Sequence, residues 1–509
     1  MRQMKQRGLI GLAVCLAVCV AMTVSVAQAE VKLPAIFSDN MVLQRGMAVP
    51  VWGWADAGET VTVSINDKLA RAVADDNGKW FLKIDPMQVG GPYEMTVSGK
   101  NQIAFKNVML GDVWVCSGQS NMHWTVSASA NPEEEIKNAD YPGIRLITVP
   151  RVSTAVPQDH FEGQWVACTP ETIPNFSAVA YYFGRTRHNE FDKKVAIGLI
   201  HTSWGGSSCE TWIPESVVEQ YKDYEQIMQR RANHLKDNPN GGDNQQAGYL
   251  FNAMINPLLP YGIKGAIWYQ GETNAGRAYQ YRTLFPLMIQ TWREVWGQGD
   301  FPFYFVQLAN FNPDGDKVLG QSDWAELREA QTMTLNLRNT GQAVIIDIGD
   351  SKDIHPTNKQ DVGKRLALLA LRDDRMGSAR QNPVSTGTNP NPLDNRGTGI
   401  PTSTGPMFRS MTIEGGKAIL RFNFANGLKA KDGGAVTGFI IAGADRKFFV
   451  ADAVINGNTV VISSPEVPKP VAVRYAWAND PACNLVNEAD LPACPFRTDM
   501  WPGVTINSK

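Results

Sequence analysis

Between Leu110 and Gln381 six short apolar runs alternate with amphipathic segments, and this alternation restricts the fold more than any other feature of the chain. The runs are Val113–Cys116, Arg145–Val149, Val195–His201, Gly265–Gln270, Phe303–Leu308 and Ala343–Ile348. Between them lie "SAVAYYFGRTRHNEF", "YRTLFPLMIQTWREVW" and "KQDVGKRLALLAL". Parallel strands need long crossover connections, usually helical, and helices on both faces make the strands read as nearly continuous apolar runs. The pattern therefore predicts an α/β fold with a parallel sheet and helices on both faces.

The flanks have another texture. From Val31 to about Val108, "VPVWGWADAGETVTVSIND" and "KWFLKID" are short alternating runs separated by Asp-Ala-Gly and Asp-Asn-Gly turns, which predicts a small antiparallel sandwich. Beyond a Pro-, Asn-, Thr- and Gly-rich stretch at 381–406, read as a linker, "KAILRFNF", "GFIIAGA", "KFFVADAVI" and "NTVVISS" are again strand-like. A length of 509 residues is too great for one ordinary core. The expected organisation is an N-terminal β domain over 30–108, a catalytic domain over 109–380 and a C-terminal β-rich domain over 407–509. The charged segment 214–246 is read as a helical insertion and a candidate lid.

Residues 1–29 have a basic start, an apolar run and small residues at Ala27 and Ala29, the layout of a signal peptide cleaved after Ala29. A secreted or periplasmic protein, with no membrane contact after cleavage, is the expectation. An uncleaved anchor is the alternative weighed for the apolar run, and lipid anchoring at Cys15 or Cys19 is disfavoured by the valine before each. Five cysteines remain in the mature chain, an odd set; Cys483 and Cys494 either close a short loop or both stay free, and Cys116 reads as core packing. With 19% charged residues and a net charge of -2, there is no basic surplus to neutralise a phosphate backbone, which argues against nucleic acid as a partner.

In an open parallel sheet the loops leaving the carboxyl ends of the strands share one crevice. Ser120 follows the first run, "TSWGGSS" with Gly205 and Gly206 follows the third, "GETN" the fourth, and "GDSKDIHPTNK" the last. A hydroxyl, flexible amides, carboxamides and a histidine with nearby carboxylates are the inventory of a serine hydrolase. Each has a bland reading as well: a strand-end serine is most often a turn or cap, and a Gly pair a tight turn. Of six histidines, His160, His188 and His234 read as solvated, His123 shares the local segment of Ser120, and His201 ends a strand and helps shape the site. His355, flanked by Asp350 and Asp353 and followed by Pro356, is left as the base. Trp124, Trp204 and Trp268 adjoin these segments, as sugar-stacking platforms or as core.

"GDVWVCSGQSNMHW", "TSWGGSSCETW", "AIWYQGETNA" and "DIGDSKDIHPTNKQDVGKRLA" resemble, in order, the sialate O-acetylesterase family, a branch of the SGNH-type hydrolases that removes acetyl groups from sugars. The likeness extends to "FSDNMVLQRGMAVPVWG" and "VRYAWANDPACNLVNEADLPACPFRTD". It implies an SGNH-hydrolase-like sheet, an acetylated glycan as substrate and no metal or other cofactor. By position, it makes Ser120 the nucleophile and His355 the general base and acid. The oxyanion is assigned to the backbone N–H of Ser120, an N–H at or beside Gly206, and the Gln270 side chain, with Asn274 its rival. Asn121, Trp204, Glu272 and Asn274 are candidates for holding the sugar. SGNH-type enzymes commonly place an aspartate three residues before the histidine, where this chain has Lys352, so the third triad member is Asp353, Asp350 or a backbone carbonyl. Rival readings are an acetylesterase for xylan or another polysaccharide, and a secreted glycan-binding protein without activity.

Overall fold

A computed structural model describes residues 30–238, 242–312, 315, 318–381 and 402–509, and the side chains of 377–381 are not described. The expected signal peptide and most of the expected linker over 381–406 lie outside these residues. The strands up to the last of the catalytic sheet are β1 (Val42–Gln44), β2 (Val49–Trp54), β3 (Thr60–Ile65), β4 (Lys68–Val73), β5 (Lys79–Ile84), β6 (Gly90–Ser98), β7 (Gln102–Gly118), β8 (Tyr141–Thr148), β9 (Val166–Cys168), β10 (Ala196–Ser203), β11 (Gly265–Tyr269), β12 (Phe303–Val306) and β13 (Thr340–Ala343). The helices are α1 (Ser120–His123), α2 (Pro132–Lys137), α3 (Ala178–Glu190), α4 (Glu215–Val218), α5 (Glu225–Asp237), α6 (Ala278–Trp296), α7 (Asp323–Met333) and α8 (Lys359–Gln381).

The central sheet runs β13-β12-β11-β7-β10-β8-β9, parallel throughout except for the antiparallel edge strand β9. Because Trp268 is in register with Ser117, three residues beyond Trp114, the two indoles point to opposite faces. Trp114 meets Phe183 of α3, and Trp268 meets Phe285 and Trp292 of α6. Helices therefore cover both faces, with α3 beside α8 and α6 beside α7. The helix expected over 177–191 forms as α3, its N-terminus capped by the Ser177 hydroxyl, which accepts from the Ala180 amide at 3.2 Å.

Two differences from the sequence reading bear on the site. The run Val113–Cys116 is only the end of β7, which pairs antiparallel with β6 in the N-terminal region before entering the parallel sheet. The division at 108/109 falls inside this strand, and one apolar core runs from Val31 to Ala370. The run Ala343–Ile348 is not a strand: β13 ends at Ala343, and Val344 and Ile346 pack instead with Cys494 and Met407 of the C-terminal region. That region has a separate core built on the sheet Met407–Glu414, Lys417–Asn423, Thr459–Ser463, Asp452–Asn456. Its attachment includes the fully buried Arg328, which donates to the carbonyls of Leu308 and Ala309 on one side and of Ala478 and Asn479 on the other. The five cysteines among the described residues are all free thiols, so Cys483 and Cys494 form no loop-closing bridge.

β7 is anchored electrostatically as well as by packing. Asp112 is 1% exposed and takes Arg45 at 2.8 Å and Arg187 at 3.0 Å. Burial alone would raise its pKa, but the two guanidinium groups hold it below the usual carboxylate value. Removing Asp112 leaves Arg187 with Asp374 alone, at 2.9 Å, and deprives the part-buried Arg45 of its carboxylate, a loss at the lower end of the about 3–5 kcal/mol for breaking a buried pair. Asp112→Ala is therefore expected to lower the stability of the chain by that amount, read as a fall in the urea midpoint; a midpoint unchanged from the parent contradicts the assignment.

Candidate active site

The end of β7 is where the backbone stops being a strand and begins to carry chemistry. Gly118 lies in register with Ser203 of β10 and Tyr269 of β11, so three strands end side by side. Its φ is +138°, and a Cβ there would lie 2.1 Å from the Tyr269 carbonyl oxygen. Only glycine lets the chain turn this close to its neighbour. The Gln119 amide then donates to Tyr269 at 2.9 Å and the Trp204 amide to Gly118 at 3.1 Å, which joins the three exits. Ser120 opens α1 immediately beyond.

His355 Nε2 lies 2.8 Å from Ser120 Oγ, although 235 positions separate them in the chain. Burial lowers the pKa of the imidazole; the Asp353 carboxylate pulls it up and Lys359 pushes it down, with a net value below that of an ordinary histidine. A neutral ring at this distance can accept the serine proton. The Trp124 indole lies nearly parallel to the imidazole, 4.8 Å away at 12°. Asp353 Oδ1 accepts the His355 backbone N–H at 2.8 Å and is 3.7 Å from Nδ1, beyond hydrogen-bond reach. Asp350 caps the turn, accepting from the amides of Lys352 and Asp353 at 2.8 and 3.2 Å.

Gly205 and Gly206 face the serine from β10. A Cβ on Gly205 would sit 3.2 Å from the Ser120 Cβ, and Gly206 has φ +74°. The returning limb of the insertion at 214–246 holds this loop: Asn244 Nδ2 donates to the Gly205 carbonyl at 2.7 Å and Gln245 Nε2 to that of Gly206 at 3.1 Å. The tip, 239–241, lies outside the described residues. Gln270 is fully buried; its amide nitrogen donates to the Ser207 carbonyl (3.2 Å) and Asn274 Oδ1 (2.7 Å), and its oxygen accepts from Tyr281 (2.8 Å). Both amide hydrogens of Gln270 are thus engaged. Asn274 gives one hydrogen to Glu210 at 3.1 Å. Burial alone would raise Glu210, yet Arg277 at 2.7 Å keeps its pKa below the ordinary value.

Of the residues considered for the sugar, Asn121 and Asn274 are each 1% exposed, and Glu272 accepts from Asn121 at 2.6 Å. Trp204 remains partly open, whereas Trp268 is fully buried in an aromatic cluster. His188, read from the sequence as solvated, is 2% exposed with Nδ1 on the Val195 carbonyl at 2.8 Å, and packs where Gly143 leaves room for its ring. His201 is buried, stacks on His123 and contacts Ser203 at 2.7 Å; its pKa is pushed down to about 3, chiefly by burial. Lys359, whose Nζ donates to Asn121 Oδ1 at 2.6 Å, was missed by the sequence reading. Its position four residues beyond His355 was the available signal, as the run of carboxamides at Asn244–Gln246 was for the loop brace.

Residues 110–372 match the family described as "Carbohydrate esterase, sialic acid-specific acetylesterase". Sialate O-acetylesterase of Homo sapiens is 29% identical over 522 residues, covering 92% of this chain and 93% of that protein. The enzyme of the same name from Pongo abelii is 32% identical over 372 residues, covering 65% and 69%. Among solved structures, a carbohydrate acetylesterase from Xanthomonas citri is 40% identical with a TM-score of 0.79, covering 93% of this chain and all 100% of that one. The hydrogen bonds from Asn244 and Gln245 are ordinary neutral contacts, each worth about 0.5–1.5 kcal/mol. The double variant Asn244→Ala/Gln245→Ala is accordingly expected to slow aryl acetate hydrolysis about 10-fold, and wild-type turnover would show that the Gly205–Gly206 loop does not need them.

Proposed function

This chain belongs to the sialic acid-specific acetylesterase family of carbohydrate esterases and is a carboxylic ester hydrolase, and from that premise we propose a serine mechanism with Ser120 and His355 as the reacting pair. The observation that carries the reading is the 2.8 Å contact between Ser120 Oγ and His355 Nε2. His355 takes the serine proton as Oγ attacks the acetyl carbonyl. It then returns the proton to the leaving sugar oxygen as the tetrahedral intermediate collapses to an acetyl-enzyme. Water, deprotonated by the same imidazole, releases acetate and restores Ser120.

The oxyanion is assigned to the backbone N–H groups of Ser120 and Gly206. For the third donor, the engagement of both Gln270 amide hydrogens favours Asn274, which has one beyond its bond to Glu210. Gln270 then acts by fixing Asn274. Asp353 is the carboxylate whose charge raises the imidazole pKa, whereas Asp350 is committed to the backbone of its turn. The sheet and its strand-end site fit an SGNH-like hydrolase, exported by the segment 1–29 with cleavage after Ala29.

The substrate proposed is an O-acetylated sialic acid or a related acetylated glycan, in keeping with the family and the mammalian relatives. The rival reading is acetylated xylan or another acetylated polysaccharide, with which the 40% identity to a bacterial carbohydrate acetylesterase of unnamed sugar is equally compatible. Acetate release from O-acetylated sialosides run beside acetylated xylo-oligomers separates the two. Ser120→Ala should reduce turnover on the order of 10⁶-fold with the fold retained. A Ser120→Ala protein that still releases acetate at the parent rate ends the serine reading.

Since His355 must be neutral to act, the acid limb of kcat/KM is expected below the ordinary histidine value of about 6.5. Asp353→Asn removes a charge that raises the imidazole pKa and should move that limb to still lower pH, with a larger loss of kcat than Asp350→Asn. Equal small losses would assign the orienting role to the backbone.

A further inference from the structure

The carboxylate nearest His355 is poorly placed to hold it. Asp353 is 3.7 Å from Nδ1, its side chain is 57% exposed, and its Oδ1 already accepts a backbone N–H. At such a separation in partly solvated surroundings its pull on the ring is screened. Something else must fix the loop that presents the imidazole, and the structure contains a buried chain of groups beneath it.

Asn121, next to the nucleophile, donates from Nδ2 to the carbonyl of Ile354, next to the base, at 2.9 Å. One side chain thus links the helix of Ser120 to the loop of His355. The orientation of that amide is fixed by its partners: an ammonium can only donate and a carboxylate or carbonyl can only accept. Lys359 Nζ donates to Asn121 Oδ1 at 2.6 Å, and the second hydrogen of Nδ2 goes to Glu272 Oε1 at 2.6 Å. Neither the amide oxygen nor the amide nitrogen can exchange places without setting donor against donor.

Lys359 is fully buried, and its ammonium lies 5.8 Å from the Trp124 ring and 5.6 Å from the Tyr269 ring. Both rings can stabilise a buried cation. Trp124 is also the ring that stacks on His355. The charged groups facing the imidazole are Asp353 on its own loop and Lys359 on α8; those facing Lys359 are Glu272 beyond β11 and Asp353. Burial pushes the Lys359 ammonium down to about 7, against the pull of the two carboxylates, and lowers His355 below the ordinary histidine value, so Lys359 gives up its proton at higher pH than His355.

We propose that Lys359, Asn121 and Glu272 are the positioning residues of the reacting pair, a buried hydrogen-bonded chain that ties the His355 loop to the Ser120 helix and performs orienting work that the distant Asp353 cannot. Asn121 and Glu272 therefore act from beneath the site and do not grip the sugar. The inference rests on the reading of Ser120 and His355 as the reacting pair.

The test uses the mature full chain with an aryl acetate substrate and, separately, NMR titration of the His355 ring in a Ser120→Ala background. Lys359→Met should lower kcat about 10- to 100-fold at nearly constant KM, the scale of loss that follows misplacement of a reacting group. It should also move the acid limb of kcat/KM, and the NMR titration of His355, to higher pH, opposite in sign to Asp353→Asn. Lys359→Arg, which keeps the charge, should keep the limb in place. The near-isosteric Asn121→Asp, which loses the donor to Ile354, should lower kcat on the same scale and decides the matter if Lys359→Met does not fold. Unchanged kcat in Asn121→Asp, or an unmoved His355 titration in folded Lys359→Met, overturns the proposal while Ser120→Ala remains inactive; an active Ser120→Ala protein instead removes the reading on which it rests.

Discussion

Everything at the site depends on where the backbone leaves β7. At Gly118 the chain turns against the Tyr269 carbonyl with no room for a side chain, and the next amide takes that same carbonyl as its acceptor. The turn fixes the position of Ser120 relative to the exits of β10 and β11 through backbone contacts alone. Backbone contacts are shorter-armed and less adaptable than side-chain contacts, so Ser120 is held by the rigid part of the sheet. β7 is itself the central strand, flanked by β10 on one side and β11 on the other, with the chain continuing outward in both directions. That is the switch point at which open α/β sheets form their crevices.

The polar groups around this point are arranged in buried chains that each end on a charge. On one side Glu210 holds Asn274, which receives Gln270, which is held in turn by Tyr281. On the other, Lys359 and Glu272 hold Asn121. In both cases a carboxamide donates to a buried carboxylate; Asn121 lies between Lys359 and Glu272, whereas Asn274 has Glu210 on one side and the neutral Gln270 on the other. A carboxamide has no charge to titrate, and a buried carboxylate that accepts from it makes rotation of the amide costly. The site thereby obtains fixed dipoles of the kind that stabilise developing charge without reorganisation.

Much of this was legible in the sequence, and the parts that were not share a physical cause. Six apolar runs separated by helical periodicity report burial on two faces, which is why the sheet, α3, α6 and α8 could be read. Ser120 was readable because it follows a strand whose end must lie at the crevice, whereas His355 was reached through a run, Ala343–Ile348, that is a packed loop beyond the end of β13. Burial, however, does not distinguish the partner doing the burying: Val344 and Ile346 are as apolar as strand residues but are covered by Cys494 and Met407, so a strand was read where a packed loop stands. The partners of Asn121, Glu272 and Gln270, all within the protein, were not legible for a related reason. A polar residue beside a catalytic serine can point into the crevice or away from it, and only the neighbouring strands decide which. Lys359 was passed over because a lysine at the first turn of a helix reads as solvated unless its burial is known.

The same loop explains what the C-terminal region contributes to a site from which its own strands are distant. The segment from Val344 to His355 has no ladder to hold it once β13 ends. Instead its apolar residues are covered by Cys494 and Met407, and Asp347 is gripped by Arg365 of α8 and by Lys431 of the C-terminal region. Further along, the Gly349 amide donates to Asn310 Oδ1, while Asn310 Nδ2 donates to Asp480 at 2.7 Å. The loop that presents the imidazole is therefore clamped between the catalytic sheet and the C-terminal unit before it reaches Asn121. A base carried on irregular backbone needs such fixation from several directions, because a loop has too few internal hydrogen bonds to set its own geometry. Attachment of the C-terminal unit, through Arg328 and the packing around Cys494, is on this account part of what aligns His355 with Ser120.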